Sequence, residues 1–376
     1  MKILHLVGQR EDFGGILSVI RSLHQVGPVE SYQHTVWVHR DYLETRGPAL
    51  DYRRGSFIIS DSPSHLTIFL TSALAFFGLR RLAKREAFDV IHAHTRGGLV
   101  VALLIAWFMR LPVLFTNHTF ANRTGFYRWV AKRKQVTSVL LNPAMARHYD
   151  MTIAEPSSWI VFSGCADRFL EEPLGANAWP SADPKAKLRL VGMGSIVRWK
   201  GWHLLVQALA KLPQKLRDRV EFHLWGPEQQ DVDAQAFVRE LREFVKKNEL
   251  QKSVFLHGST NEVVASLQSG HFVVVASENE PCSVSLMESL ALGLPALAAR
   301  SGGNVDIVRD GETGVLFESG SEDDLAAKLV SVLNGEITLC TPAEIRESVR
   351  GWAASAMTEK YNRIYDHMAQ LNSTKS

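Results

Sequence analysis

Short apolar runs alternate with amphipathic segments along almost the whole chain. Runs such as 3–7 and 220–225 predict buried strands, and the periodic segments between such runs, for example 99–109, predict helices. Strand–helix alternation of this kind is typical of parallel sheets with helices on both faces. The pattern therefore predicts an α/β protein built from doubly wound parallel sheets.

The predicted elements form two similar halves. In the first half, strands are predicted at 3–7, 35–38, 57–59, 90–94, 113–117, 138–141 and 159–162, and helices at 16–24, 66–84, 99–109 and 127–133. In the second half, strands are predicted at 188–192, 220–225, 254–257, 272–276, 295–298 and 314–317, and helices at 203–212, 233–246, 284–292, 323–333 and 343–364.

Residues 170–187 separate the two halves. They are rich in Pro, Ala and polar groups and lack periodicity, which is typical of a linker. We therefore predict a first domain at 1–169, a second domain at 188–351 and a C-terminal tail at 352–376. The tail is amphipathic, and we expect it to pack back on the first domain.

Length and composition indicate the class of protein. The 376 residues are enough for two domains, and 46% hydrophobic with 22% charged residues is a globular composition. Cys165, Cys282 and Cys340 lack metal-ligand spacing, so we expect free thiols in a reducing compartment. The uncharged apolar stretches 66–79 and 97–109 are shorter than the ~20 residues of a membrane-spanning helix. We therefore expect a cytoplasmic protein.

Positive charge is concentrated in the first half. Residues 1–170 hold 20 Lys and Arg against 12 Asp and Glu, and residues 90–149 hold no acid. Each cation near an anionic membrane contributes ~1 kcal/mol to binding, and Trp107, Phe108 and Trp129 can enter a lipid interface. The residues predicted to face a membrane or an anionic substrate are Arg123, Arg128, Lys132, Arg133 and Lys134. A basic pocket for a soluble anion is the alternative, and nucleic acid is not expected because no recognition motif accompanies the cations.

Polar residues follow several predicted strands of the first half, at the edge where open parallel sheets bind ligands. Gly14 and Gly15 open a predicted helix, where backbone amides can approach a phosphate, although an ordinary tight turn is the alternative. His92, His94 and His118 end two strands, and each alone is more often a structural residue. His118 is the better candidate because polar turn residues flank it.

Two cations follow the first strand of the second half. Arg198 and Lys200 precede Gly201 at a strand-to-helix turn, where they can neutralise a diphosphate. A solvated loop is the alternative. Residues 192–194 begin a dinucleotide-binding fingerprint, but Val197 stands where the third glycine belongs, so an oxidoreductase is not favoured.

The segment 278–289, ENEPCSVSLMES, sets Glu280 and Glu288 on either side of a predicted helix start near Ser283. Eight helical residues span ~12 Å, which approximates the distance from the ribose to the sugar of a nucleotide diphosphate sugar. The backbone amides at the positive helix end belong to Ser283, Val284 and Ser285. The segment can therefore hold two hydroxyl-bearing groups with a phosphate between them. A capped helix is the alternative, but Glu288 among apolar neighbours needs a partner.

With these motifs the chain resembles, over nearly its full length, a glycosyltransferase of family 4 with the GT-B fold. The ordered series from 270 to 317 is specific, whereas the glycines and the linker signature are less so. The motifs that carry the resemblance are Gly14-Gly15, DVIHAH, His118, FSGCADRF, Lys200-Gly201, LWGPE, Glu280 with Glu288, ALGLP and TGVLF. The resemblance implies two Rossmann-like domains facing a central cleft, with a C-terminal helix returning to the N-terminal domain.

The resemblance also implies roles for the candidate residues. Glu288 would bind the ribose of the donor and Glu280 the transferred sugar, while Lys200 neutralises the leaving diphosphate. His118 would lie beside the reacting carbon and the acceptor. The further donor contacts would come from Gly15, Ser283, Val284 and Ser285. The family retains the anomeric configuration and needs no metal or other cofactor, so the implied partners are a nucleotide sugar and a glycan or glycolipid acceptor.

Two departures from the family pattern bear on these roles. Ser195 stands where the family usually has an arginine, so either Arg198 supplies that charge or the leaving group is held less tightly. Cys282 and Ser283 replace a usual Phe-Gly, which leaves the donor sugar open. We expect a retaining hexosyltransferase of lipopolysaccharide or polysaccharide synthesis, bound peripherally at the inner face of the cytoplasmic membrane. A nucleotide-sugar epimerase or a phosphorylase on the same fold, and a non-catalytic nucleotide-sugar-binding protein, are the alternatives.

Overall fold

The computed structural model describes residues 1–8, 15–26, 31–43, 50–55, 64–175, 179 and 186–373. The chain divides into two compact units, each with its own parallel sheet. The first unit comprises Met1–Gly164 and Ala354–Ser376, and the second comprises Cys165–Ala353. The chain therefore enters the second unit at Cys165 and returns to the first at Ala354.

The sheet of the first unit has seven strands in the order β3-β2-β1-β4-β5-β6-β7, and all neighbouring strands are parallel. The strands are β1 Lys2–Leu6, β2 Gln33–His39, β3 Asp51–Gly55, β4 Val90–Ala93, β5 Val113–Asn117, β6 Val136–Leu140 and β7 Ser158–Ile160. The strand order reverses direction beside β1, between β1 and β4, which is where ligands bind to sheets of this type.

The sheet of the second unit has six parallel strands in the order β10-β9-β8-β11-β12-β13. The strands are β8 Leu188–Met193, β9 Val220–Trp225, β10 Val254–Gly258, β11 Phe272–Val275, β12 Ala296–Ala299 and β13 Gly314–Phe317. Here the order reverses between β8 and β11. The loops that follow these two strands therefore meet at one carboxyl edge.

Helices connect the strands in both units. They are α1 Gly15–Val26, α2 His65–Glu86, α3 Arg96–Met109, α4 Gly125–Ala131, α5 Pro143–Tyr149, α6 Arg168–Glu171, α7 Trp202–Lys211, α8 Gln214–Arg217, α9 Val232–Lys247, α10 Val263–Gln268, α11 Val284–Ala291, α12 Asn304–Ile307, α13 Glu322–Leu333, α14 Pro342–Val349 and α15 Ala354–Ser373. Two short 3₁₀ helices, Arg198–Lys200 and Arg350–Trp352, complete the described elements. The predicted α/β class with two doubly wound parallel sheets is confirmed.

Most predicted strands and helices are found within a few residues of their predicted bounds, although the short helices α5, α6, α8, α10 and α12 were not predicted. Two further differences concern a helix and a strand. The single helix predicted at 343–364 is wrong, because the 3₁₀ turn Arg350–Trp352 separates α14 from α15 where the chain changes unit. The strand β3 was not predicted, because its sequence, DYRRG, is polar. The strand predicted at 57–59 lies outside the described residues.

The C-terminal helix packs on the first unit, as predicted. Tyr361, Ile364 and Tyr365 of α15 are fully buried in a core shared with Ile3 of β1 and Leu23 of α1. Burial of a large apolar side chain contributes ~1.5–3 kcal/mol, so this face anchors the helix to its sheet.

Helix α2 is apolar on two faces. Ile68, Leu79 and Leu82 are buried, whereas Phe69 and Phe77 are more than half exposed. The segment Leu66–Glu86 is long and apolar enough to cross a membrane by length and composition, with a mean hydropathy of 1.4. This segment is longer than the uncharged stretch 66–79 considered in the sequence, because the helix continues through the charged residues at its C-terminal end. Core helices of soluble proteins meet the same criterion, so the finding is weak evidence for a membrane span.

Candidate active site

The candidate residues of the second unit meet where β8 and β11 end. Lys200 lies in the 3₁₀ turn after β8, and Glu280 lies in the loop after β11. The Nζ atom of Lys200 donates a hydrogen bond to Oε2 of Glu280 over 2.5 Å. Their side chains are only 17% and 9% exposed, so the pair is largely shielded from water. The structure thus brings together two residues that are 80 positions apart in the sequence.

Backbone contacts fix the loop that carries Glu280. The amide of Glu278 donates to the carbonyl of Trp199, and the amide of Gly303 donates to the carbonyl of Glu280 over 2.8 Å. Asn279 has a positive φ of 53°, and its amide donates to Oγ of Ser301. Asparagine adopts this left-handed conformation more readily than most residues that have a Cβ atom. The neighbouring loops therefore hold the carboxylate in a defined place.

Gly201 holds Lys200 close to this loop. Its φ of 72° lies in the left-handed region, and a Cβ atom added there would lie 2.1 Å from the carbonyl oxygen of Ala276. Only glycine lets the turn approach β11 this closely.

We expect Gly201→Ala to destabilise the second unit and to displace Lys200. The left-handed conformation alone costs about 1–2 kcal/mol for a residue with a Cβ atom, and the clash with Ala276 adds to it. Gly311→Ala is the matched control, because Gly311 has a φ of 79° but no atom within 4 Å of an added Cβ. Urea unfolding followed by tryptophan fluorescence should show the larger loss for Gly201→Ala. Equal losses in the two variants would contradict the close-approach argument.

Helix α11 begins where the sequence predicted. Ser283 is its N-cap, and the Ser283 Oγ accepts a hydrogen bond from the amide of Leu286. The amides of Val284 and Ser285 lie in the first turn, where no carbonyl of the helix can accept from them. Together with the helix dipole, they make this end of α11 favourable for an anion.

Glu288 lies one turn further along α11 among apolar residues. Burial raises the pKa of its carboxyl group to about 7, although the positive charge of Arg168 opposes the shift. Among the described residues, none forms a hydrogen bond or ion pair with the Glu288 carboxylate. The partner that the sequence argument required is therefore not part of the described protein, and a bound hydroxyl-bearing ligand can supply it.

Arg198 lies apart from this cluster. Its guanidinium pairs with Glu240 of α9 and stacks over the ring of Phe237. The 3₁₀ turn sends Arg198 and Lys200 in different directions, since Lys200 faces Glu280 and lies over the Trp199 ring. A role for Arg198 at a diphosphate therefore requires it to leave Glu240.

A second candidate site lies in the first unit, at the carboxyl edge of its sheet. His118 follows β5 and lines a cavity of about 470 Å³ with Ile16, His94 and Asn117. Burial lowers the pKa of His118 to about 4, so its ring is neutral at pH 7. Gly15 is the first residue of α1, while Gly14 lies outside the described residues.

The histidines of the first unit are hydrogen-bonded to one another, which the sequence argument missed. Nε2 of His118 is 3.1 Å from Nδ1 of His94, whose Nε2 is 2.9 Å from Nδ1 of His5. His5 was not singled out because its pairing with His94 depends on strand order. His92 is a satisfied structural residue, with its ring nitrogens bonded to Tyr365 Oη and Thr116 Oγ1.

The five predicted basic residues are all exposed on the first unit. They are Arg123, Arg128, Lys132, Arg133 and Lys134. Arg128 pairs with Asp150, and the Arg133 guanidinium lies 3.9 Å from the centre of the half-exposed Trp129 ring. The patch thus combines cations with an exposed aromatic side chain.

One further pair of carboxylates has a spacing that can share a divalent cation, Asp231-Val232-Asp233. Asp231 is the N-cap of α9, and its Oδ1 accepts from the amide of Ala234 over 2.9 Å. Asp233 lies in the first turn of the same helix, where an acid is favourable. Helix capping therefore accounts for this pair. As predicted, the three cysteines, all of which lie in the described part of the chain, form no disulfide.

Two doubly wound parallel-sheet domains, each with candidate binding residues at the carboxyl edge of its own sheet, are the architecture of the GT-B class. Residues 13–157 match the family model "Glycosyltransferase Family 4", and residues 176–351 match "Glycosyl transferases group 1". The chain belongs to glycosyltransferase family 4.

Relatives and solved structures agree with this assignment. The sulfoquinovosyl transferase SQD2 of Arabidopsis thaliana is 28% identical over 302 residues, which are 73% of this chain and 54% of that protein. This chain thus spans about half the length of that relative. The D-inositol 3-phosphate glycosyltransferase of Corynebacterium glutamicum is 27% identical over 333 residues, 80% of this chain and 77% of that protein. The crystal structure of Anabaena HepE in complex with UDP superposes with a TM-score of 0.73 at 17% identity, covering 98% of this chain and 100% of that one.

Proposed function

We propose that this protein is a retaining, metal-independent glycosyltransferase that moves a hexose from a nucleotide diphosphate sugar to a lipid-linked or polysaccharide acceptor. The observation that carries the proposal is the second-unit site. There, a shielded Lys200–Glu280 pair and the open first turn of α11 lie on elements that neighbour Glu288, whose carboxylate has no partner within the described part of the chain. In chemistry, these groups match the sugar, the diphosphate and the ribose of such a donor, in that order.

The donor would bind through Glu288, the first turn of α11 and Lys200. The ribose hydroxyls donate to Glu288, and the diphosphate accepts from the amides of Val284 and Ser285. Lys200 supplies a positive charge that is otherwise neutralised by Glu280. As the bond from the anomeric carbon to the phosphate oxygen breaks, negative charge develops on that oxygen. Lys200 and the helix dipole stabilise this charge without a metal ion.

Reaction with retention requires the acceptor hydroxyl to attack from the face that the diphosphate leaves. The proton of that hydroxyl then passes to the departing phosphate or to a base, and the new bond forms from the oxygen to the anomeric carbon. We assign to His118 the position beside the reacting carbon. This assignment rests on the family resemblance and on the cavity that the His118 ring lines. The Glu280 carboxylate would accept hydrogen bonds from hydroxyl groups of the transferred sugar.

Stereochemistry and metal dependence test this proposal without knowledge of the acceptor. The protein is incubated with the nucleotide sugar that it hydrolyses, in the presence of EDTA, and proton NMR records the first free sugar formed. We expect the anomer of the donor to appear first. The opposite anomer would contradict retention, and loss of activity in EDTA would contradict metal independence. Conversion to another nucleotide sugar would indicate an epimerase.

We further propose that the first unit binds the inner face of the cytoplasmic membrane. Helices α2 and α3 expose a set of large apolar side chains that a soluble surface does not need. They are Leu66, Phe69, Leu70, Leu74, Phe77, Trp107 and Phe108. Arg81, Lys84 and Arg85 are exposed at the end of α2. Apolar side chains beside cations suit an anionic bilayer, which supports a lipid-linked acceptor such as lipopolysaccharide core.

We expect the double variant Phe69→Ser/Phe77→Ser to bind anionic liposomes at least tenfold more weakly than the wild type. Each phenylalanine contributes roughly 1.5–3 kcal/mol when its side chain is buried in lipid. Val232→Ser is the control, because Val232 is 80% exposed but lies in the second unit. Co-flotation with vesicles containing phosphatidylglycerol measures the binding. Equal binding of the double variant, or no binding of the wild type at any salt concentration, would contradict the membrane proposal.

A further inference from the structure

Four histidines form a continuous hydrogen-bonded chain through the first unit. Nδ1 of His34 is 2.9 Å from Nε2 of His5, and the chain continues from Nδ1 of His5 to His94 and from Nδ1 of His94 to His118. It starts near the beginning of β2, crosses β1 and ends beyond β5. It therefore links the cavity at His118 with a second surface cavity, also of about 470 Å³, that His34 lines. We call these four residues the histidine chain.

Each ring of the histidine chain is neutral at pH 7. Burial lowers the pKa of His5 and His94 well below the usual value, and that of His34 and His118 to about 4. A neutral imidazole has one N–H donor and one acceptor nitrogen. Both ring nitrogens of His5 and of His94 form hydrogen bonds within the histidine chain. The donor direction of one hydrogen bond therefore fixes the donor direction of the next. All four rings must then carry the proton on Nδ1, or all four on Nε2.

The two ends of the histidine chain are open. Among the described residues, none forms a hydrogen bond with Nδ1 of His118 or with Nε2 of His34. Both rings line cavities that solvent can enter. A proton can therefore enter at one end and leave at the other.

We propose that His94, His5 and His34 are positioning residues that set which nitrogen of His118 carries its proton, and that they let His118 accept a proton without becoming charged. The identity of the proton donor, the acceptor hydroxyl, rests on the proposed function. The hydroxyl proton moves to Nδ1 of His118, and the Nε2 proton of each ring moves to Nδ1 of the next ring. His34 finally releases its Nε2 proton to water, so one proton enters and one leaves.

The histidine chain lets His118 act as a base although its ring is buried. A buried imidazolium is disfavoured by the loss of hydration, so an isolated His118 would be a weak base. In the histidine chain no ring gains a net charge, because every proton gained is matched by one passed on. The geometry thus gives a buried, neutral ring a means of taking up a proton.

A metal site is the competing interpretation, because ring nitrogens of His5, His92 and His94 lie within 4.8 Å of one another. Both nitrogens of His92 are already bonded to Tyr365 and Thr116. The nitrogens of His5 and His94 are 2.9 Å apart, a hydrogen-bond distance. Two imidazole nitrogens on a tetrahedral zinc ion, at about 2.0–2.1 Å from it, would be roughly 3.3 Å apart. The geometry therefore favours hydrogen bonding over metal binding.

The test is a measurement of the ring tautomers, which needs no substrate. Long-range proton–nitrogen correlation spectra of protein labelled with ¹⁵N in its histidine rings show which nitrogen of each ring is protonated. In the wild type, the four rings should share one tautomer or exchange between the two in concert. In His34→Glu, the ionised carboxylate can only accept a hydrogen bond from Nε2 of His5. The other three rings should therefore all carry the proton on Nε2. The amide of His34→Gln can donate or accept a hydrogen bond, so this variant should keep the tautomer pattern of the wild type. The tautomer of His92, which is not part of the histidine chain, should be the same in both variants.

Two results would overturn the inference: unlike tautomers among the four wild-type rings, or a His118 tautomer that ignores His34→Glu while the protein stays folded. Should His34→Glu fail to fold, the wild-type spectrum alone decides. Turnover separates this inference from the proposed function. We expect His34→Gln to lower kcat about tenfold or more with the donor KM unchanged, because its amide cannot take up the proton of His5 and proton transfer typically contributes 10²–10⁴-fold. The carboxylate of His34→Glu can take up that proton, so this variant should keep its turnover. If the wild type transfers sugar but its four rings have uncoupled tautomers, the inference about the histidine chain is wrong and the proposed function still stands.

Discussion

Replacing Lys200 by alanine is expected to lower turnover about 10²–10³-fold, the largest effect of any single change in the second unit. Lys200 is the cation that the structure directs into the candidate donor site, where it is shielded and held by Glu280. Removing a preorganised donor aimed at developing negative charge typically costs this much in kcat. Steady-state release of nucleotide measures the effect.

The matched control for this variant is Lys187→Ala. Lys187 also pairs with a glutamate, Glu221, over 3.0 Å, but its side chain is 42% exposed at the start of β8. Exposed pairs of this kind contribute about 0–1 kcal/mol to stability and nothing to the chemistry. If Lys187→Ala and Lys200→Ala lowered turnover equally, the catalytic assignment of Lys200 would be wrong.

Replacing Glu288 by glutamine is expected to weaken donor binding by about 10- to 150-fold. A hydrogen bond to a charged group contributes roughly 1.5–3 kcal/mol, and the ribose hydroxyls would lose at least one. Titration calorimetry with the donor measures the loss. The exposed Glu347, which pairs with Arg350 in the same unit, provides a control in Glu347→Gln.

The pH dependence of donor binding gives a sharper test of Glu288. Its pKa is raised to about 7, so the carboxylate is mostly ionised at pH 8 and mostly protonated at pH 6. A protonated acid loses the charge-assisted hydrogen bonds, so wild-type affinity should fall as the pH is lowered from 8 to 6. In Glu288→Gln this dependence should be absent. A wild-type affinity that rises toward pH 6 would contradict the role.

The same pKa predicts a stability effect of opposite direction. Because folding raises the pKa of Glu288, ionisation of this carboxyl group destabilises the ligand-free protein as the pH rises from about 4.5 to above 7. Glu288→Gln should therefore be more stable than the wild type at pH 8 and nearly equal to it at pH 4. A residue that costs stability but improves binding is typical of a functional site.

The sequence predicts the central strands and the start of α11 well, because these depend on local patterns. Buried parallel strands are continuously apolar, and Ser283 marks a helix start by its capping side chain. The search for continuous apolar runs misses strand β3, because its side chains are polar and form hydrogen bonds outside the strand. Arg53, for example, bonds to Glu86 of α2.

Other features depend on three-dimensional contacts that spacing does not reveal. Arg198 and Lys200 are two residues apart, yet one faces Glu240 and the other Glu280, because a 3₁₀ turn separates their directions. The histidine chain joins four strands, so it exists only through the strand order of the sheet. The sequence does not predict which face of α2 is exposed, because both faces are apolar.

The most direct test of the central claim is the release of nucleotide from single donors. Purified protein is incubated with each of a panel of nucleotide diphosphate sugars in EDTA, without acceptor, and free nucleotide is measured over time. We expect slow release from one donor, and its loss in Lys200→Ala and Glu288→Ala but not in Lys187→Ala. Release that is unchanged in Lys200→Ala and Glu288→Ala, or tight binding of a donor with no release even when acceptor-bearing membranes are added, would contradict the account.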